Sequence, residues 1–479
     1  MKKLMMQFIC VYIMTLTTSI TTLSQTNPNP NAALDAYIID EMALERFPGL
    51  SAVIVKDGKI VWIQSYGLAD VDNSIPVTDT TVFLLASISK VFTGTAAMQL
   101  VESGVIDLDQ NINDFLLWSF EIPASTSSPV TFRQLMTHTA SIQDNDVVMD
   151  TYYDFPDPTI SLSDVMERYF SPSGADYDPS ANFLPVAPGS THEYSNMGTA
   201  LNGYLVQLAS QMPFDQYCNS NIFDPLCMNK TSWFFADFDS SHVARPYQYV
   251  GSNYVAYPHY GFADYPDGQL RSTANEMANF MIAYLNGGNF GSNSILSQTS
   301  INQMWSHQVP SLEHGQGLNW YQEELFHSSG SSVLWGHNGG EMGASTDMYL
   351  DPVNKIGICV LTNGEGDALF ICDELYDYAL GLDPATGFIP DCIILSIDEV
   401  KPTQENEILI AVYPNPTNGL VNIEIQNHTI QNIKLYDLQG RLMKETTESQ
   451  FDLSNYSNGT YFIRAQTEKG FYSYKLIKQ

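Results

Sequence analysis

The sequence is poor in basic residues, poor in cysteine and almost free of long apolar runs. It holds 20 Lys and Arg against 53 Asp and Glu, a formal net charge of −33 at pH 7. The acidity is concentrated in residues 26–400, which carry 10 basic and 45 acidic side chains, whereas residues 401–479 carry 8 of each. Such a surface repels phosphate backbones and anionic membranes. We therefore expect a solvated acidic surface and no nucleic-acid partner.

Cysteines are too few and too unevenly placed to form a disulfide scaffold. One of the six belongs to the N-terminal apolar run, which leaves an odd number in the mature chain: Cys218, Cys227, Cys359, Cys372 and Cys392. A bridge between Cys218 and Cys227 and a set of buried free thiols explain them about equally well. The chain has no C-x-x-C and no H-E-x-x-H motif, so we predict no metal site and no cofactor.

Only the N-terminus carries a membrane-directed signal. Residues 1–25 begin with two lysines, continue through an apolar run at 8–14 and become polar at Ser24, which predicts a secretory signal peptide. The run is shorter than the ~20 residues of a spanning helix. We therefore expect an exported chain without a transmembrane anchor.

Paired apolar runs predict one β-hairpin near the start of the chain and a second far downstream. The first turns at Lys56–Gly58 and the second at Asp351–Asn354. Helical periods occur between them, around residues 91–101, 199–208 and 275–285. We therefore predict an α+β fold, an antiparallel sheet flanked by helices with a mostly helical subdomain.

A change of composition near residue 400 predicts a second domain. Brief alternating strands with Asn-Gly and Gln-Gly turns occupy the C-terminal part, as is typical of a small all-β sandwich. We assign residues 26–385 to the main domain, 386–405 to a linker and 406–479 to the β domain.

The chain contains one S-x-x-K motif, at the start of a strongly apolar helical run: Ser87 to Lys90. Residues spaced i, i+3 share one face of a helix, so the amine can lie beside the hydroxyl. A serine is a poor nucleophile until a base takes its proton, and lysine serves only if burial and nearby positive potential lower its pKa. We predict Ser87 as the nucleophile and Lys90 as its base. The alternative is a surface lysine in a first helical turn, where the helix dipole disfavours a cation.

Tyr194 and Asn196 lie in a short polar segment between a Pro-Gly-Ser turn and the helical period near residue 199. A phenol at Tyr194 can relay a proton to the leaving group, and an amide at Asn196 can hold the substrate. The Y-x-N pattern recurs in the chain, so the alternative is a half-buried tyrosine near a turn.

His337, Gly339 and Gly340 precede the second hairpin and are predicted to form an edge strand beside the cleft. Glycines let a substrate approach the backbone, and the amides of Gly340 and Ser87 would form an oxyanion hole. An equivalent H-x-G sequence begins at His259. His337 is preferred only because it precedes the second hairpin.

With these elements in chain order, the sequence resembles the serine β-lactamase-related family, which includes class C β-lactamases, penicillin-binding proteins, D-amino-acid peptidases and esterases. The resemblance runs from about Pro48 to Leu382 and includes F-P-G-L-S at 47–51, A-S-I-S-K at 86–90, F-R-Q-L-M-T-H-T at 132–139, P-G at 188–189, Y-S-N at 194–196, I-F-D-P-L at 222–226 and G-H-N-G-G at 336–340. It implies acylation of the serine, proton shuttling by Lys90 and Tyr194, substrate positioning by Asn196, and an opposite wall formed by His337, Gly339 and Gly340.

Three departures from the family pattern bear on the substrate. His337 stands where β-lactamases usually carry lysine, Ser141 stands where glycine is usual, and Asp267–Leu270 replaces a more glycine-rich stretch. The resemblance therefore implies a carboxypeptidase or esterase rather than a true β-lactamase.

The C-terminal segment resembles a type IX secretion sorting domain, on Y-P-N-P at 413–416, I-K-L-Y-D-L-Q-G-R at 433–441 and N-G-T-Y-F-I at 458–463. This implies handling by the type IX machinery and a secreted or cell-surface protein; the alternative is an ordinary binding module. We predict an exported serine hydrolase acting through an acyl-enzyme on an amide or ester bond of a D-amino-acid peptide, a small ester or a β-lactam. A non-catalytic protein that recognises penicillin or peptidoglycan, or an adhesin that depends on the tail, is the alternative.

Overall fold

In the computed structural model, the described residues are 27–390, 410–425, 430–437, 442–467 and 470–478. The predicted signal peptide and most of the predicted linker lie outside them. The α-helices within these ranges are α1 Ala32–Glu45, α2 Ser89–Glu102, α3 Phe132–Met136, α4 Asp146–Met149, α5 Leu162–Phe170, α6 Asn196–Ser210, α7 Phe214–Cys218, α8 Ala274–Leu285, α9 Gln298–Met304 and α10 Leu369–Gly381.

Seven of the fifteen strands described in the main domain belong to one large sheet, and the other eight form short two-stranded ribbons within the helical part. They are β1 Gly49–Lys56, β2 Lys59–Asp70, β3 Ile75–Pro76, β4 Phe83–Leu84, β5 Tyr153–Asp154, β6 Tyr247–Val250, β7 Asn253–Ala256, β8 Gly261–Phe262, β9 Arg271–Ser272, β10 Asn289–Phe290, β11 Asn293–Ser294, β12 Tyr321–His327, β13 Gly330–Glu341, β14 Ala344–Asp351 and β15 Ile356–Thr362.

The large sheet is antiparallel, with the strand order β12-β13-β14-β15-β1-β2-β3. Both predicted hairpins are confirmed, as β1–β2 and β14–β15. The first turns through Asp57 and Gly58, whose φ angles of 49° and 75° are those of a tight two-residue hairpin turn. The two ends of the main domain therefore meet in the middle of one sheet, where β15 pairs with β1.

Both faces of the sheet are covered. Along β1, Val53 and Val55 join the core that contains α8, while Ala52 and Ile54 join the core formed with α1 and α10. Alternate residues of β1 are thus buried in different cores. Because both faces of the strand are buried, its sequence is a continuous apolar run. The predicted helical insert is also confirmed, because α2 to α9 lie between β3 and β12.

The structure distinguishes between the two alternatives for the cysteines, a bridge between Cys218 and Cys227 or a set of buried free thiols. Cys218 is a buried free thiol, so a bridge between Cys218 and Cys227 is excluded. Cys227 is disulfide-bonded. Cys359 and Cys372 are buried free thiols, as the second alternative held.

The C-terminal residues form an all-β unit, as predicted. Its strands are β16 Ile410–Tyr413, β17 Leu420–Ile425, β18 Ile430–Asp437, β19 Leu442–Thr446, β20 Gln450–Asp452, β21 Gly459–Thr467 and β22 Gly470–Lys478. They make a three-stranded sheet, β16-β17-β20, and a four-stranded sheet, β19-β18-β21-β22. Buried apolar side chains from both sheets share one core, including Val421, Ile433, Leu435, Ile463 and Leu476.

Candidate active site

Ser87 lies in a single 3₁₀ turn, Ala86–Ile88, that runs directly into α2. The residue before this turn is held in place by a backbone hydrogen bond, in which the Leu85 amide donates to the Leu270 carbonyl at 2.8 Å. Ala86 has a φ of 47°, a left-handed conformation that is costly for a residue with a Cβ atom. Strain of this kind clusters at functional sites, and here it precedes a half-buried serine.

Lys90 lies beside Ser87 in the first turn of α2. Its Nζ donates to Ser87 Oγ at 3.0 Å and to the Asp267 carbonyl at 2.7 Å, and the side chain is fully buried. One turn further along α2, the Thr93 hydroxyl donates to the Pro266 carbonyl at 2.6 Å. The i, i+3 spacing therefore brings amine and hydroxyl together, and the segment around Asp267 fixes the amine from the other side.

The electrostatic surroundings of Lys90 differ from those expected. Burial by itself lowers the lysine pKa, but the interactions with Tyr194, Asp267 and Asp144 outweigh it and hold the pKa above its ordinary value. The expectation that neighbouring positive potential lowers this pKa is wrong, because the neighbouring charges are negative. Lys90 is consequently an ammonium ion in the resting site.

Tyr194 is brought to the same place. Lys90 Nζ lies 5.0 Å from the centroid of the phenol ring, and the side chain is 41% exposed. The ring centroid is 4.4 Å from that of His138 and 6.2 Å from that of His337. The phenol therefore sits at the mouth of the site, between two imidazoles and above the ammonium ion.

Asn196 is the first residue of α6 rather than part of a loop, since Ser195 caps the helix by accepting from the Gly198 amide at 2.9 Å. The Asn196 amide donates to Asp144 at 2.7 Å, and the Ser195 hydroxyl donates to the same carboxylate at 2.8 Å. Asp144 thus holds the end of the segment that carries Tyr194. No motif in the sequence pointed to this carboxylate.

β13 forms the wall opposite α2. A Cβ atom added to Gly339 would lie 2.9 Å from the Ser87 amide nitrogen and 2.5 Å from Thr346 Oγ1, so the backbones touch there. A Cβ atom on Gly340 would meet nothing within 4 Å and would face open space. Position 339 requires glycine for this approach, whereas a side chain at position 340 would point to the opposite face of β13, where there is room for it.

The predicted edge strand is in fact the second strand of the sheet. Its partner β12 begins at Tyr321, opposite Gly336, so no strand among the described residues pairs with residues 337–341 on that side. The Asn338 amide points to this open side, where it donates to the Tyr321 hydroxyl at 2.9 Å. Amides two residues apart face the same side of a strand, so the Gly340 amide also faces the open side.

His337 is buried and neutral. Its Nδ1 lies 2.6 Å from the Asn338 carbonyl, to which it donates. Burial, and then the charge of Lys90, lower the pKa of this imidazole to about 3. The position where β-lactamases usually carry a cation therefore has none at neutral pH.

Four carboxyl groups from three segments of the chain interact with the ammonium ion of Lys90: Asp144, Asp264, Asp267 and Glu341. Burial raises the pKa of each, to about 7 for Asp264, and Lys90 lowers the pKa of all four. Sequence reasoning missed their role because they belong to no motif, and only the tertiary fold assembles them.

The structure shows the local backbone at Ser141 and Asp267, two positions where the sequence departs from the family pattern. Ser141 has a φ of 59°, the left-handed region that favours the glycine usual at this position. Among the described residues, no group bonds its buried hydroxyl. Asp267 ends a 3₁₀ turn, Tyr265–Asp267, whose last carbonyl accepts from Lys90.

Over the described ranges, no cluster of three or more His, Cys, Asp or Glu side chains is placed to hold a metal ion. The helices within those ranges are too short or too polar to cross a membrane.

Residues 34–380 match the sequence model of the β-lactamase family. The chain belongs to the β-lactamase family. Proteins with this fold are generally serine hydrolases. Residues 411–479 match a secretion system C-terminal sorting domain. A domain of this kind is handled by type IX secretion and marks a secreted or cell-surface protein.

Curated relatives of this β-lactamase family member are distant. Protein flp of Staphylococcus aureus is 25% identical over 332 residues, 69% of this chain and 62% of the relative. Beta-lactamase-like protein 2 of Dictyostelium discoideum is 27% identical over 396 residues, 78% of this chain and 69% of the relative. The chain thus spans less than two thirds of the length of the first of these relatives.

Solved structures of the same fold cover most of the chain. A penicillin-binding protein from Bacillus halodurans gives a TM-score of 0.57 at 22% identity, covering 73% of this chain and 100% of its own. An octameric penicillin-binding protein homologue from Pyrococcus abyssi gives 0.57 at 23%, covering 92% and 99%. The D-amino acid amidase of Ochrobactrum anthropi SV3, complexed with L-phenylalanine, gives 0.58 at 21%, covering 73% and 97%. These likenesses concern the fold.

Proposed function

We propose that the protein is an exported serine hydrolase that cleaves amide or ester bonds through an acyl-enzyme. The observation that carries the proposal is the 3.0 Å hydrogen bond from Lys90 Nζ to Ser87 Oγ, made in a buried site beneath an exposed phenol. The proposal is supported further by the Tyr194 ring, whose centroid is 5.0 Å from Lys90 Nζ, because acyl transfer needs a proton carrier close to the nucleophile.

In the proposed first step, Ser87 Oγ attacks the substrate carbonyl, and the amides of Ser87 and Gly340 hold the developing oxyanion. The proton of the hydroxyl passes to the Lys90–Tyr194 pair, which returns a proton to the leaving amine or alcohol. Water then attacks the acyl-enzyme and gives one proton to the same pair, which returns it to Ser87 Oγ as the bond between Oγ and the acyl group breaks and the acid leaves. Because Lys90 is an ammonium ion at rest, the pair must lose a proton before it can accept one.

The residues of the opposite wall would position the substrate. Gly339 lets the Ser87 turn approach the strand, while Asn196 would border the acyl portion and His337 the leaving group. A neutral His337 offers no charge to the carboxylate that penicillins and C-terminal D-alanyl peptides carry. Small esters and amides are therefore favoured over β-lactams.

One observation favours the second candidate, a protein that binds peptidoglycan-like ligands without turnover. The raised pKa of Lys90 keeps the amine protonated, and a protonated amine is no base. The two functions differ in the fate of the serine: turnover requires acylation and water attack, whereas recognition requires neither.

The test uses a serine-reactive phosphonate and penicillin, with the adduct located by mass spectrometry, beside rates on a short acyl ester, a D-alanyl peptide and a chromogenic cephalosporin. We expect adducts on Ser87, hydrolysis of the ester or peptide, and loss of both in Ser87→Ala. An unmodified Ser87 at high reagent concentration, or full hydrolysis by Ser87→Ala, would reject the proposal. Ligand retention by Ser87→Ala without turnover by the parent protein would support the binding role.

A further inference from the structure

Glu341, the last residue of β13, faces the same side of that strand as His337 and Gly339. Side chains alternate along a strand, so residues two and four positions apart share a face. That face meets the Ser87 turn, because a Cβ atom on Gly339 would lie 2.9 Å from the Ser87 amide nitrogen. The nucleophile is therefore flanked by a neutral imidazole on one side and by a carboxyl group on the other.

The position of Tyr194 sets the direction in which a substrate lies. The phenol that serves the leaving group is next to His337, with ring centroids 6.2 Å apart. A scissile bond placed over Ser87 then directs its leaving group towards His337. Its acyl portion extends past Gly340 towards Glu341.

Among the four carboxyl groups around Lys90, Glu341 is the one best placed to bind a ligand. Asp264 and Asp267 are 2% and 4% exposed, whereas Glu341 is partly exposed. Asp144 already accepts three hydrogen bonds, from Ser195 and from two amides of α6.

Within the described part of the chain, Glu341 accepts two hydrogen bonds, one at each oxygen, from the Tyr153 hydroxyl and the Met342 amide, both at 2.9 Å. A carboxylate has about four lone-pair positions, so it retains acceptor capacity for a further donor. The cation that acts on it, Lys90, is already bonded to Ser87 and Asp267.

We propose that Glu341 determines specificity by binding a cationic amino group on the acyl portion, so that the preferred substrates are aminoacyl amides and esters with a free amine. The inference rests on the proposed function and names its substrate class. The same charge distribution repels a carboxylate placed near the scissile bond.

A merely structural role for Glu341 predicts a different result. Its hydrogen bond to Tyr153 joins β13 to β5, and loss of that contact would reduce the rate on every substrate alike. Glu341→Gln keeps the shape and an oxygen acceptor but removes the charge. The ratio of two rates in this variant therefore separates recognition from support.

The experiment measures kcat/KM of the full chain on alanine p-nitroanilide and on its N-acetyl derivative, for both enantiomers. We expect the parent protein to prefer the free amine by about tenfold or more, the value of a charged hydrogen bond. Glu341→Gln should lose most of this preference, because its rate on the free amine should fall much further than its rate on the acetylated substrate. Glu324→Gln, beside Val333 at the other end of β13, is the matched control and should keep the preference.

Equal rates on both substrates by the parent protein, or equal losses on both in Glu341→Gln, would overturn the inference. p-Nitrophenyl acetate, which carries no amine, separates this failure from that of the proposed function. Its Ser87-dependent hydrolysis without an amine preference would reject the role of Glu341 alone. No hydrolysis of any substrate, with Ser87 unlabelled by phosphonate, would reject both.

Discussion

The imidazole ring of His138 lies 4.4 Å from the phenol ring of Tyr194, with the ring planes inclined by 33°. His138 also fixes both chain neighbours of that tyrosine. Its carbonyl accepts from the Glu193 amide at 2.8 Å, and its Nδ1 accepts from the Ser195 amide at 3.2 Å. Burial, and then the charge of Lys90, hold the pKa of His138 well below its ordinary value, so that Nδ1 stays free to accept. One buried ring therefore positions the phenol over the ammonium ion.

Replacement of His138 should reduce turnover by displacing Tyr194. His138→Phe keeps a ring but leaves the Ser195 amide unpaired, and we expect kcat on an ester substrate to fall by about tenfold to a hundredfold with little change in KM. His138→Asn should recover part of the loss, because its Oδ1 can replace Nδ1 and asparagine tolerates the φ of 54° at this position.

The matched control is His192→Phe, a nearby histidine whose ring centroid is 5.9 Å from that of His138. It should leave kcat within about twofold of the parent value. Thermal unfolding of each variant separates a folding defect from a displaced phenol. Equal kcat values for His138→Phe and the parent protein would contradict the positioning role.

Substitution by alanine should have a much larger effect on activity at Gly339 of β13 than at the neighbouring Gly340. Gly339→Ala places a methyl group 2.5 Å from the Leu85 carbonyl oxygen and 2.9 Å from the Ser87 amide, so the strand must move away from the serine. We expect a loss of kcat/KM of about a hundredfold or more, since small displacements of a reacting group are costly. Gly340→Ala meets nothing within 4 Å and keeps its amide, so its rate should stay within about tenfold of the parent value. Equal losses in the two variants would argue against close contact between β13 and the serine turn.

The pH profile should reveal the charge of Lys90. Its raised pKa keeps the amine protonated to higher pH, so the proton-accepting form grows as pH rises and kcat/KM should increase towards alkaline pH. Asp144→Asn removes one of the negative charges that raise this pKa while keeping an oxygen acceptor for the α6 amides. The alkaline rise should therefore begin at lower pH in the variant. A profile that falls above neutral pH, or one unmoved by Asp144→Asn, would contradict this account.

Local features of the sequence predicted much of this architecture. Hairpin turns, helical periods and the i, i+3 spacing of Ser87 and Lys90 depend on neighbours along the chain, and each appears as predicted. The strand position of His337 was harder to predict. β12 lies outside β13, but it begins too late to cover the residues that border the cleft.

The electrostatics of the site could not be predicted in this way. Asp144, Asp264 and Glu341 lie far from Lys90 in sequence, and each is separated from it by whole elements of structure. The sign of the lysine pKa shift depends on which of these charges the fold brings together and how deeply it buries them. The spacing of residues within a motif does not indicate which charges approach Lys90 or how deeply they are buried.

Stability should also depend on pH through Asp347, a buried carboxyl on β14 that accepts from the Tyr349 hydroxyl at 2.9 Å. Burial raises its pKa from 3.8 to about 7, so the folded state holds the proton more tightly than the unfolded chain does. The resulting stabilisation is complete below the unfolded pKa and is lost as pH rises through about 7, at a cost of at most about 4 kcal/mol. Melting temperatures at pH 5 and pH 8 should therefore differ less in Asp347→Asn than in the parent protein. Asp154→Asn is the control, because hydrogen bonds lower the pKa of that exposed carboxyl and its removal cannot flatten the dependence in this direction. If Asp347→Asn retained the full difference in melting temperature between pH 5 and pH 8, the titration of Asp347 would not be the cause of that difference.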